Sequence, residues 1–257
     1  MNSTTIIRKM IYLTLTSTNI NMTKISTDPI GDAILDYASN HKPFDIVVSS
    51  DLCEDDIIPI EVLFRSYKEM PDLEKRALTM CKGEILDIGA GAGIHCHELI
   101  KKGHKVTAID SSVGAVTYLK ECGINATHST FENFTTTEKF DTILMLMNGI
   151  GIAGRLSNLE KTLLKAKKML NSRGQIIFDS SDVKFLYEDE DGAMWVDLNT
   201  EYYGNFKFQM HYKKTTGDWF EWLYVDYDSM HEIATKLGFK CKRIMEQDNH
   251  YLAQLSL

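Results

Sequence analysis

The feature that most constrains the fold is a glycine-rich turn between two short segments of different character. Residues 84–88 have the composition of a buried strand, residues 94–102 that of a helix, and Gly89, Gly91 and Gly93 lie between them. Gly89 can adopt strained turn angles, and Gly91 lets a ligand approach the backbone because it has no Cβ. The following helix adds free N–H groups and its positive dipole end. The segment predicts a nucleotide site or, as the alternative, a tight structural turn.

The surrounding residues 83–180 alternate between strand-like and helix-like segments. The predicted strands are 84–88, 105–109, 125–128, 141–147 and 175–179, and the predicted helices are 94–102, 113–122 and 156–170. Apolar strands separated by helices are typical of a parallel sheet with both faces covered and right-handed crossovers. The fold class is therefore α/β.

The two flanking regions have different patterns. Residues 28–80 read as helices and loops, with apolar spacing near 3.6 over 59–78 and an acidic link over 49–56. In the C-terminal region, residues 202–212 and 220–225 read as two strands joined by a turn. A helix ended by Gly238 then leads into a last strand-like run.

Charge and cysteine content exclude several classes of protein. The formal net charge is −8, which disfavours nonspecific binding to nucleic acid or an anionic membrane. The five cysteines are odd in number and show no CxxC spacing, so neither a disulfide framework nor a zinc knuckle is indicated. We therefore expect a reducing, cytoplasmic compartment, no nucleic-acid partner and no membrane partner.

The N-terminal residues are expected to be a disordered extension covering 1–27. Arg8 and Lys9 precede a short apolar run over 10–16, as in a signal peptide, but threonines break the run and no Ala-x-Ala cleavage site follows. Met22 is an alternative start. No stretch reaches the roughly 18 apolar residues that a membrane-spanning helix needs.

The spacing around the turn distinguishes among nucleotide sites. The glycines follow a GxGxG pattern, and Ile94 stands where a dinucleotide-binding fold would place its third glycine. Asp110 ends the next predicted strand, where a carboxylate can accept both ribose hydroxyls. The structural alternative is that Asp110 caps the helix that begins after Ser111 and Ser112.

On these residues the chain resembles the class I S-adenosylmethionine-dependent methyltransferases, over about residues 60–257. Residues 85–93 are similar to that family's first motif, 108–112 to its acidic loop after the second strand, and 141–147 to its fourth strand. The resemblance implies a Rossmann-like, mostly parallel seven-stranded sheet with helices on both faces and an antiparallel C-terminal strand. It also implies an N-terminal helical lid over 28–80 and a methyltransferase domain over 81–257.

The resemblance further implies S-adenosylmethionine as the cofactor and assigns residues to it. Asp87 would help fix the methionine ammonium, the glycines would line the methionine and ribose, and Asp110 would hold the ribose diol. The full predicted set is Asp87, Gly89, Ala90, Gly91, Gly93, Asp110, Ser111, Thr130, Phe131 and Asn148.

The adenine site departs from the family pattern. The family usually places an acid after the third strand, but the aligned residue here is Thr130. Its hydroxyl or the backbone of Phe131 would then serve the adenine amino group. Phe131 is equally expected to belong to the core.

Residues near the acceptor are less well determined. Asn148 opens the glycine-containing loop after the fourth strand, but the prolines of base-modifying relatives are missing, which disfavours nucleobase N-methylation. Asn148 and Asp179 are the candidates for a catalytic role, and no base is assigned. No metal is expected, because His95 and His97 point to different faces of one helix. A flexible turn is the alternative for the loop.

Several other polar and aromatic residues can be interpreted from their positions. His250 and Glu246 are expected to be ordinary surface residues. The aromatic residues of the C-terminal region would line an acceptor pocket or, more often for strands, join the core. These are Tyr202, Tyr203, Trp219 and Trp222. Arg65 and Tyr67, in the lid, would contact an anionic or polar acceptor.

We therefore expect a methyltransferase that acts on a small-molecule acceptor, as a monomer or homodimer. The alternatives are a methyltransferase for protein or RNA, and a non-catalytic module that binds the cofactor or a nicotinamide nucleotide.

Overall fold

The computed structural model describes residues 27–187 and 201–257. The extension predicted over 1–27 therefore lies outside the described residues, apart from residue 27. The strands are β1 (Ile46–Ser50), β2 (Asp56–Ile58), β3 (Glu84–Ile88), β4 (Lys105–Asp110), β5 (Asn125–His128), β6 (Phe140–Met145), β7 (Leu170–Ser181), β8 (Asn205–Tyr212), β9 (Thr215–Thr216), β10 (Phe220–Leu223), β11 (Lys240–Gln247) and β12 (His250–Ser256).

The helices are α1 (Pro29–Asn40), α2 (Asp72–Met80), α3 (Ile94–Lys101), α4 (Val113–Glu121), α5 (Leu156–Met169) and α6 (Tyr227–Lys236). Short 3₁₀ turns cover Ile60–Leu63, Tyr67–Glu69, Gly149–Ala153 and Lys184–Tyr187. No helix in the two described ranges combines the length and apolar character needed to cross a bilayer.

The large sheet has seven strands in the order β11-β12-β7-β6-β3-β4-β5. Strands β3 to β7 pair in parallel, whereas β12 is antiparallel to both of its neighbours. The predicted mostly parallel sheet with an antiparallel C-terminal strand is confirmed. Strand order reverses at β3, which pairs with β4 on one side and β6 on the other. Ligands of open α/β sheets bind beyond the carboxyl ends of the strands at such a point.

Helices cover both faces of this sheet, as predicted. Successive strand residues point to opposite faces, so Ile143 packs on one side with α5 and α6, and Leu144 packs on the other with α2, α3 and α4. Both side chains are fully buried. The sheet is therefore the middle layer of an α/β/α arrangement, and only its strand ends are left to form a site.

A second, antiparallel sheet has the order β10-β8-β1-β2, with β9 paired to β8. The predicted strands over 202–212 and 220–225 form part of it as β8 and β10. The region predicted as a helical lid is in fact mixed, because it also supplies β1 and β2. Residues 46–48 are β-branched, and residues 47–50 pair with β8, for example Val48 with Met210. A pattern read along the local sequence does not reveal this pairing. Pro59 and Pro71 interrupt the expected helical spacing over 59–78, and only α2 is a full helix there.

Candidate active site

The glycine-rich turn lies at the reversal point of the large sheet. Gly89 and Gly91 have φ angles of 75° and 55°, and a Cβ at either position would meet no atom within 4 Å. At Gly93, by contrast, a Cβ would lie 2.5 Å from Leu119 Cδ2. The first two glycines therefore face open space, and the third lets α3 pack against α4. Ala90, also predicted at the site, is buried, and its N–H donates to the Ile109 carbonyl oxygen at 3.2 Å.

Asp110 joins the ends of β3 and β4. Its Oδ2 accepts a hydrogen bond from Gly91 N and its Oδ1 accepts one from Ser112 N, each at 2.8 Å. Ser112, rather than Asp110, caps α4, since its Oγ accepts from Ala115 N at 3.0 Å. Burial raises the pKa of Asp110, and the two backbone hydrogen bonds act in the opposite direction. Each carboxylate oxygen keeps a further lone pair, so the group can still accept a diol.

Asp28, which the sequence analysis did not single out, fastens α1 to this loop. Its carboxylate accepts from Gly31 N at 3.0 Å, from Ser112 Oγ at 2.9 Å and from Gly114 N at 3.0 Å. The two helices touch through their glycines, because a Cβ at Gly114 would lie 2.5 Å from Gly31 Cα. In the sequence, Asp28 is marked only by the proline that follows it, a pattern typical of a helix start. That pattern predicts the helix cap but not the distant contacts of Asp28 with Ser112 and Gly114.

Asp87 is buried in β3, two residues before the turn, with 2% exposure. Burial raises the pKa of Asp87, whereas the charge of nearby His95 and a hydrogen bond from Cys96 lower it. The Cys96 Sγ–H donates to Asp87 Oδ2 at 3.0 Å. Because few hydrogen bonds and charges offset its burial, this carboxylate is well suited to bind a cationic ligand group such as an ammonium.

A buried ion-pair network lies beside Asp87. Glu74 on α2 forms an ion pair with Arg65, and its Oε2 lies 2.9 Å from His95 Nε2. Burial raises the pKa of Glu74, but the hydrogen bonds from His95 and Arg65 outweigh it and hold the value below the usual range. The buried carboxylate of Glu74 thus holds both side chains, and a contact of Arg65 with an acceptor stays a prediction. The Nε of Arg65 is buried with no hydrogen-bond partner among the described residues.

The residues predicted for adenine lie after β5. The Phe131 side chain is buried with 7% exposure in the core on the α5 side of the sheet. Thr130 is exposed, and its Oγ1 accepts from Asn133 N at 3.2 Å. Ser111, at the end of β4, is also exposed, and its carbonyl oxygen lies 2.9 Å from His128 Nε2. An adenine contact by the Thr130 hydroxyl or the Phe131 backbone stays a prediction.

The loop after β6 carries two successive left-handed residues, Met147 at φ 65° and Asn148 at φ 55°. Asn148 Oδ1 accepts from Ser181 Oγ at 2.9 Å, which joins the ends of β6 and β7. A Cβ at Gly151 would lie 2.2 Å from the indole Nε1 of Trp222. The predicted glycine loop is thus packed against the second sheet rather than being a flexible turn.

Asp179, one of the two predicted catalytic candidates, is paired with His250. Asp179 is 1% exposed at the carboxyl end of β7, and its Oδ2 lies 2.8 Å from His250 Nε2. Asp179 Oδ1 accepts from Gly149 N at 3.4 Å. His250 was expected to be an ordinary surface residue, and that expectation is wrong. Its partner lies 71 residues away, so no local signal could have found the pair.

Two tyrosines in the segment just before β8 bond to aspartates near the same edge. The Tyr203 hydroxyl donates to Asp182 Oδ1 at 2.8 Å, and the Tyr202 hydroxyl donates to Asp226 Oδ2 at 2.5 Å. Burial raises the pKa of both tyrosines. Trp222 is half-buried, whereas Trp219 is 50% exposed. Tyr203 is therefore tied to the residue that follows β7. Across residues 27–187 and 201–257, no three His, Cys, Asp or Glu side chains converge as a metal site.

Comparison with known proteins identifies the family. A family model described as "Methyltransferase domain" matches residues 80–248. The crystal structure of a SAM-dependent methyltransferase from Bacteroides fragilis, in complex with S-adenosyl-L-homocysteine, is 42% identical. The alignment covers 89% of this chain and 94% of that one, with a TM-score of 0.83. An S-adenosylmethionine-dependent methyltransferase from Clostridium acetobutylicum is 14% identical over 75% of this chain and 92% of its own, with a TM-score of 0.52, and supports the fold alone.

Two further relatives are ubiquinone biosynthesis O-methyltransferases of Rickettsia conorii and Rickettsia felis. Each is 28% identical, over 147 and 137 residues, or 52% and 49% of this chain. The matches span about half of each relative's length, 50% and 54%. The open turn at Gly89 and Gly91, the carboxylate at Asp110 and the buried charge of Asp87 fit S-adenosylmethionine as the cofactor. The chain belongs to the family of S-adenosylmethionine-dependent methyltransferases.

Proposed function

We propose that this chain transfers the methyl group of S-adenosylmethionine to a small-molecule acceptor. The reaction takes place at the carboxyl edge of the large sheet, between the loop over 89–93 and the second sheet. The bound cofactor supplies an electrophilic methyl group on a sulfonium. The protein's task is to align the acceptor with it, and positioning alone can lower the barrier by several kcal/mol, up to about 7–11 in the best intramolecular cases.

One observation carries the cofactor assignment, namely the carboxylate of Asp110 held between Gly91 N and Ser112 N. It faces the two glycines that leave open space above the turn. Asp110 would accept the ribose hydroxyls, Asp87 would attract the ammonium, and the turn would line the rest. Ser111, Thr130 and the backbone of Phe131 would contact the base end, and Asn148 would lie nearest the sulfonium.

The residues at the edge of the site beyond β7 support a small acceptor. Asp182, Tyr203 and His250 enclose that edge, which suits a small polar molecule better than a polyanion. The net charge of −8 also disfavours RNA. The Rickettsia relatives carry names that refer to O-methylation in ubiquinone biosynthesis. The five free cysteines support a reducing cytoplasm as the compartment.

Calorimetry with S-adenosylhomocysteine tests the cofactor site. Replacing Asp110 with alanine should weaken binding by about 10- to 150-fold, which corresponds to about 1.5–3 kcal/mol for hydrogen bonds to a charged group. Asp141→Ala is the matched control. Its carboxylate also accepts a hydrogen bond from a backbone N–H, that of Glu84 at 2.9 Å, but it lies at the opposite end of the sheet. It should lower the melting temperature and leave the affinity unchanged. An Asp110→Ala protein that binds as tightly as the wild type would refute the site.

The acceptor class is tested by measuring release of S-adenosylhomocysteine. We expect release with a panel of small hydroxyl and amino compounds, and none with denatured protein or total RNA. Release with the macromolecules alone would overturn the small-molecule assignment. Light scattering on the same preparation distinguishes a monomer from a homodimer.

A further inference from the structure

The His250–Asp179 pair lies at the same edge of the sheet as the glycine-rich turn. Strand β7 runs parallel to β3 and β6, so Asp179 is near its carboxyl end. Strand β12 runs the other way, so its first residue, His250, reaches the same edge and lies opposite Ser181. Two chain segments that are distant in sequence therefore deliver a carboxylate and an imidazole to one place.

The geometry of the pair is that of an oriented base. The Asp179 carboxylate is buried, whereas the His250 side chain is 39% exposed. With the proton on Nε2 donated to Asp179 Oδ2 at 2.8 Å, the lone pair of the imidazole is on Nδ1. Nδ1 makes no hydrogen bond to any residue in the described ranges, and it is available to an external proton donor.

The pair is also connected to the cofactor side. Asp179 Oδ1 accepts from Gly149 N, and Ser181 donates to Asn148, so both contacts hold the loop that follows β6. Strand β12 lies three strand spacings from β3, about 14 Å, and the His250 imidazole reaches back over one of them to Asp179 on β7. About 10 Å then separates the pair from β3. That span is about the width that the methyl-bearing end of the cofactor and one ring-sized acceptor would occupy together.

We propose that His250 is the general base of the reaction, that Asp179 positions it, and that the acceptor group is a hydroxyl. This inference rests on the proposed function. The acceptor oxygen attacks the methyl carbon, forming a C–O bond as the S–C bond breaks. The sulfur keeps the bonding electron pair, and the product is a thioether. The hydroxyl proton goes to His250 Nδ1, and the Asp179 carboxylate stabilises the resulting imidazolium.

A hydroxyl is the acceptor that most needs such a base. A neutral hydroxyl is a poor nucleophile until its proton begins to leave, whereas a neutral amine attacks through its free lone pair and releases its proton afterwards. Among the described residues, the titratable neighbours on β7 and beyond its end are Asp179, Asp182 and Tyr203. Those on the other side are Glu246 on β11 and Asp248 in the turn before β12. On β11 the residue opposite His250 is the neutral Gln247. The Asp179 carboxylate therefore lies beside the ring nitrogen of the imidazolium that the transfer would produce.

The experiment uses the full chain and follows S-adenosylhomocysteine release with named probe acceptors. The hydroxyl probes are phenol, catechol, 3,4-dihydroxybenzoate and benzyl alcohol, and the amine probes are aniline and benzylamine. The variants are His250→Gln, which still donates to Asp179 but takes up no proton, and Asp179→Asn. His231→Gln, an exposed histidine on α6, is the matched control. The affinity for S-adenosylhomocysteine is measured separately for every variant.

We expect transfer to a hydroxyl probe, and a loss of at least about 100-fold in kcat for His250→Gln, the lower range for general-base catalysis. The affinity for S-adenosylhomocysteine should stay within twofold of the wild type. The rise of kcat with pH should disappear in His250→Gln, a change that a structural role would not produce. Asp179→Asn should lose less activity, and free imidazole should partly restore a His250→Ala variant.

Three results would overturn the inference while leaving the proposed function standing. They are a kcat for His250→Gln within twofold of the wild type, transfer to the amine probes alone, and cofactor binding without transfer to any hydroxyl probe. Failure of the wild-type chain to bind S-adenosylhomocysteine would instead overturn the proposed function, and the inference with it.

Discussion

The proposed cofactor side and the proposed acceptor side of the site are built from different kinds of contact. On the cofactor side, backbone N–H groups of Gly91 and Ser112 meet a single carboxylate, Asp110. On the acceptor side, side chains bond to side chains, as in the pairs Asp179–His250, Asn148–Ser181 and Asp182–Tyr203. The contacts of the first arrangement span 2 and 19 residues, and those of the second span 21, 33 and 71.

This difference matches what each side has to do. The cofactor has a constant structure, so a turn with fixed backbone geometry is sufficient to hold it. The acceptor side draws its groups from β7, β12 and the segment before β8, and each group can be exchanged without altering the turn. The two sides should therefore respond independently to substitution, which the following variants test.

The largest effect is expected at Gly91. A valine side chain there would enter the open space above the turn, so Gly91→Val should weaken S-adenosylhomocysteine binding more than about 100-fold, or about 2.7 kcal/mol. The matched control is Gly123→Val, where φ is also positive, at 77°, and where a Cβ also meets no atom within 4 Å. Both should lose about 1–2 kcal/mol of stability to left-handed strain. Equal affinities in calorimetry would show that the turn does not contact the cofactor.

Gly114 tests whether α1 belongs to the cofactor side. A leucine at this position would collide with the backbone at Gly31, so Gly114→Leu should lower the free energy of unfolding by about 1–3 kcal/mol. It should also weaken cofactor binding several-fold, because Asp28 would lose its contact with Ser112. Val113→Leu, at a neighbouring side chain that is 57% exposed, should change neither quantity. Denaturant titration and calorimetry measure both.

Replacing Asp87 should change the cofactor affinity and the stability of the cofactor-free protein in opposite directions. Because burial raises its pKa above the ordinary value of 3.8, the folded protein holds this proton more tightly than the unfolded chain does. Stability contributed by the group therefore falls as pH rises through 3.8 and the folded-state value.

Asp87→Asn should consequently make the cofactor-free protein more stable at pH 7, by about 1 kcal/mol. The gain should vanish below pH 3.8, where the aspartate is protonated in both states. Cofactor affinity should fall, because an amide attracts an ammonium less than a carboxylate does. Melting curves across the pH range check the first two statements, and a destabilised variant at pH 7 would contradict them.

The smallest effect is expected at Tyr203. Removing its hydroxyl breaks one hydrogen bond to Asp182, so Tyr203→Phe should cost about 0.5–1.5 kcal/mol of stability. The KM for the acceptor should rise a few-fold, and the affinity for S-adenosylhomocysteine should not change. A matching loss of cofactor affinity would mean that the two sides are coupled.

Much of the large sheet and its turn was predictable, because the information is local. The strand, glycine turn and helix over 84–101 follow one another directly, and Asp110 ends the adjacent strand. Short-range patterns of this kind encode element type and the chemistry of a turn. The mixed segment over 28–80 was read as helical because β1 is short and its partner strand, β8, follows more than half a chain later.

The acceptor side could not be predicted in the same way. In the sequence, His250 is a single histidine in a polar stretch, which is typical of a surface residue. Only the antiparallel insertion of β12 beside β7 brings it to Asp179. The contacts by which Asp28 joins α1 to α4 follow only from the packing of these two helices in the folded protein. In both cases the decisive contact is between residues whose approach depends on the completed fold.

The pairing of β1 with β8 has a consequence for how the chain folds. Val47 of β1 pairs with His211 of β8, and the Tyr212 hydroxyl of β8 donates to Asp36 of α1 at 2.6 Å across 176 residues. The second sheet therefore closes a very long loop. Contacts this distant in sequence form slowly, because the entropy of loop closure has to be overcome before they contribute. We expect the large sheet to acquire amide protection first during refolding and the second sheet to acquire it last, and pulsed hydrogen exchange would show the reverse order if the N-terminal strands initiated folding.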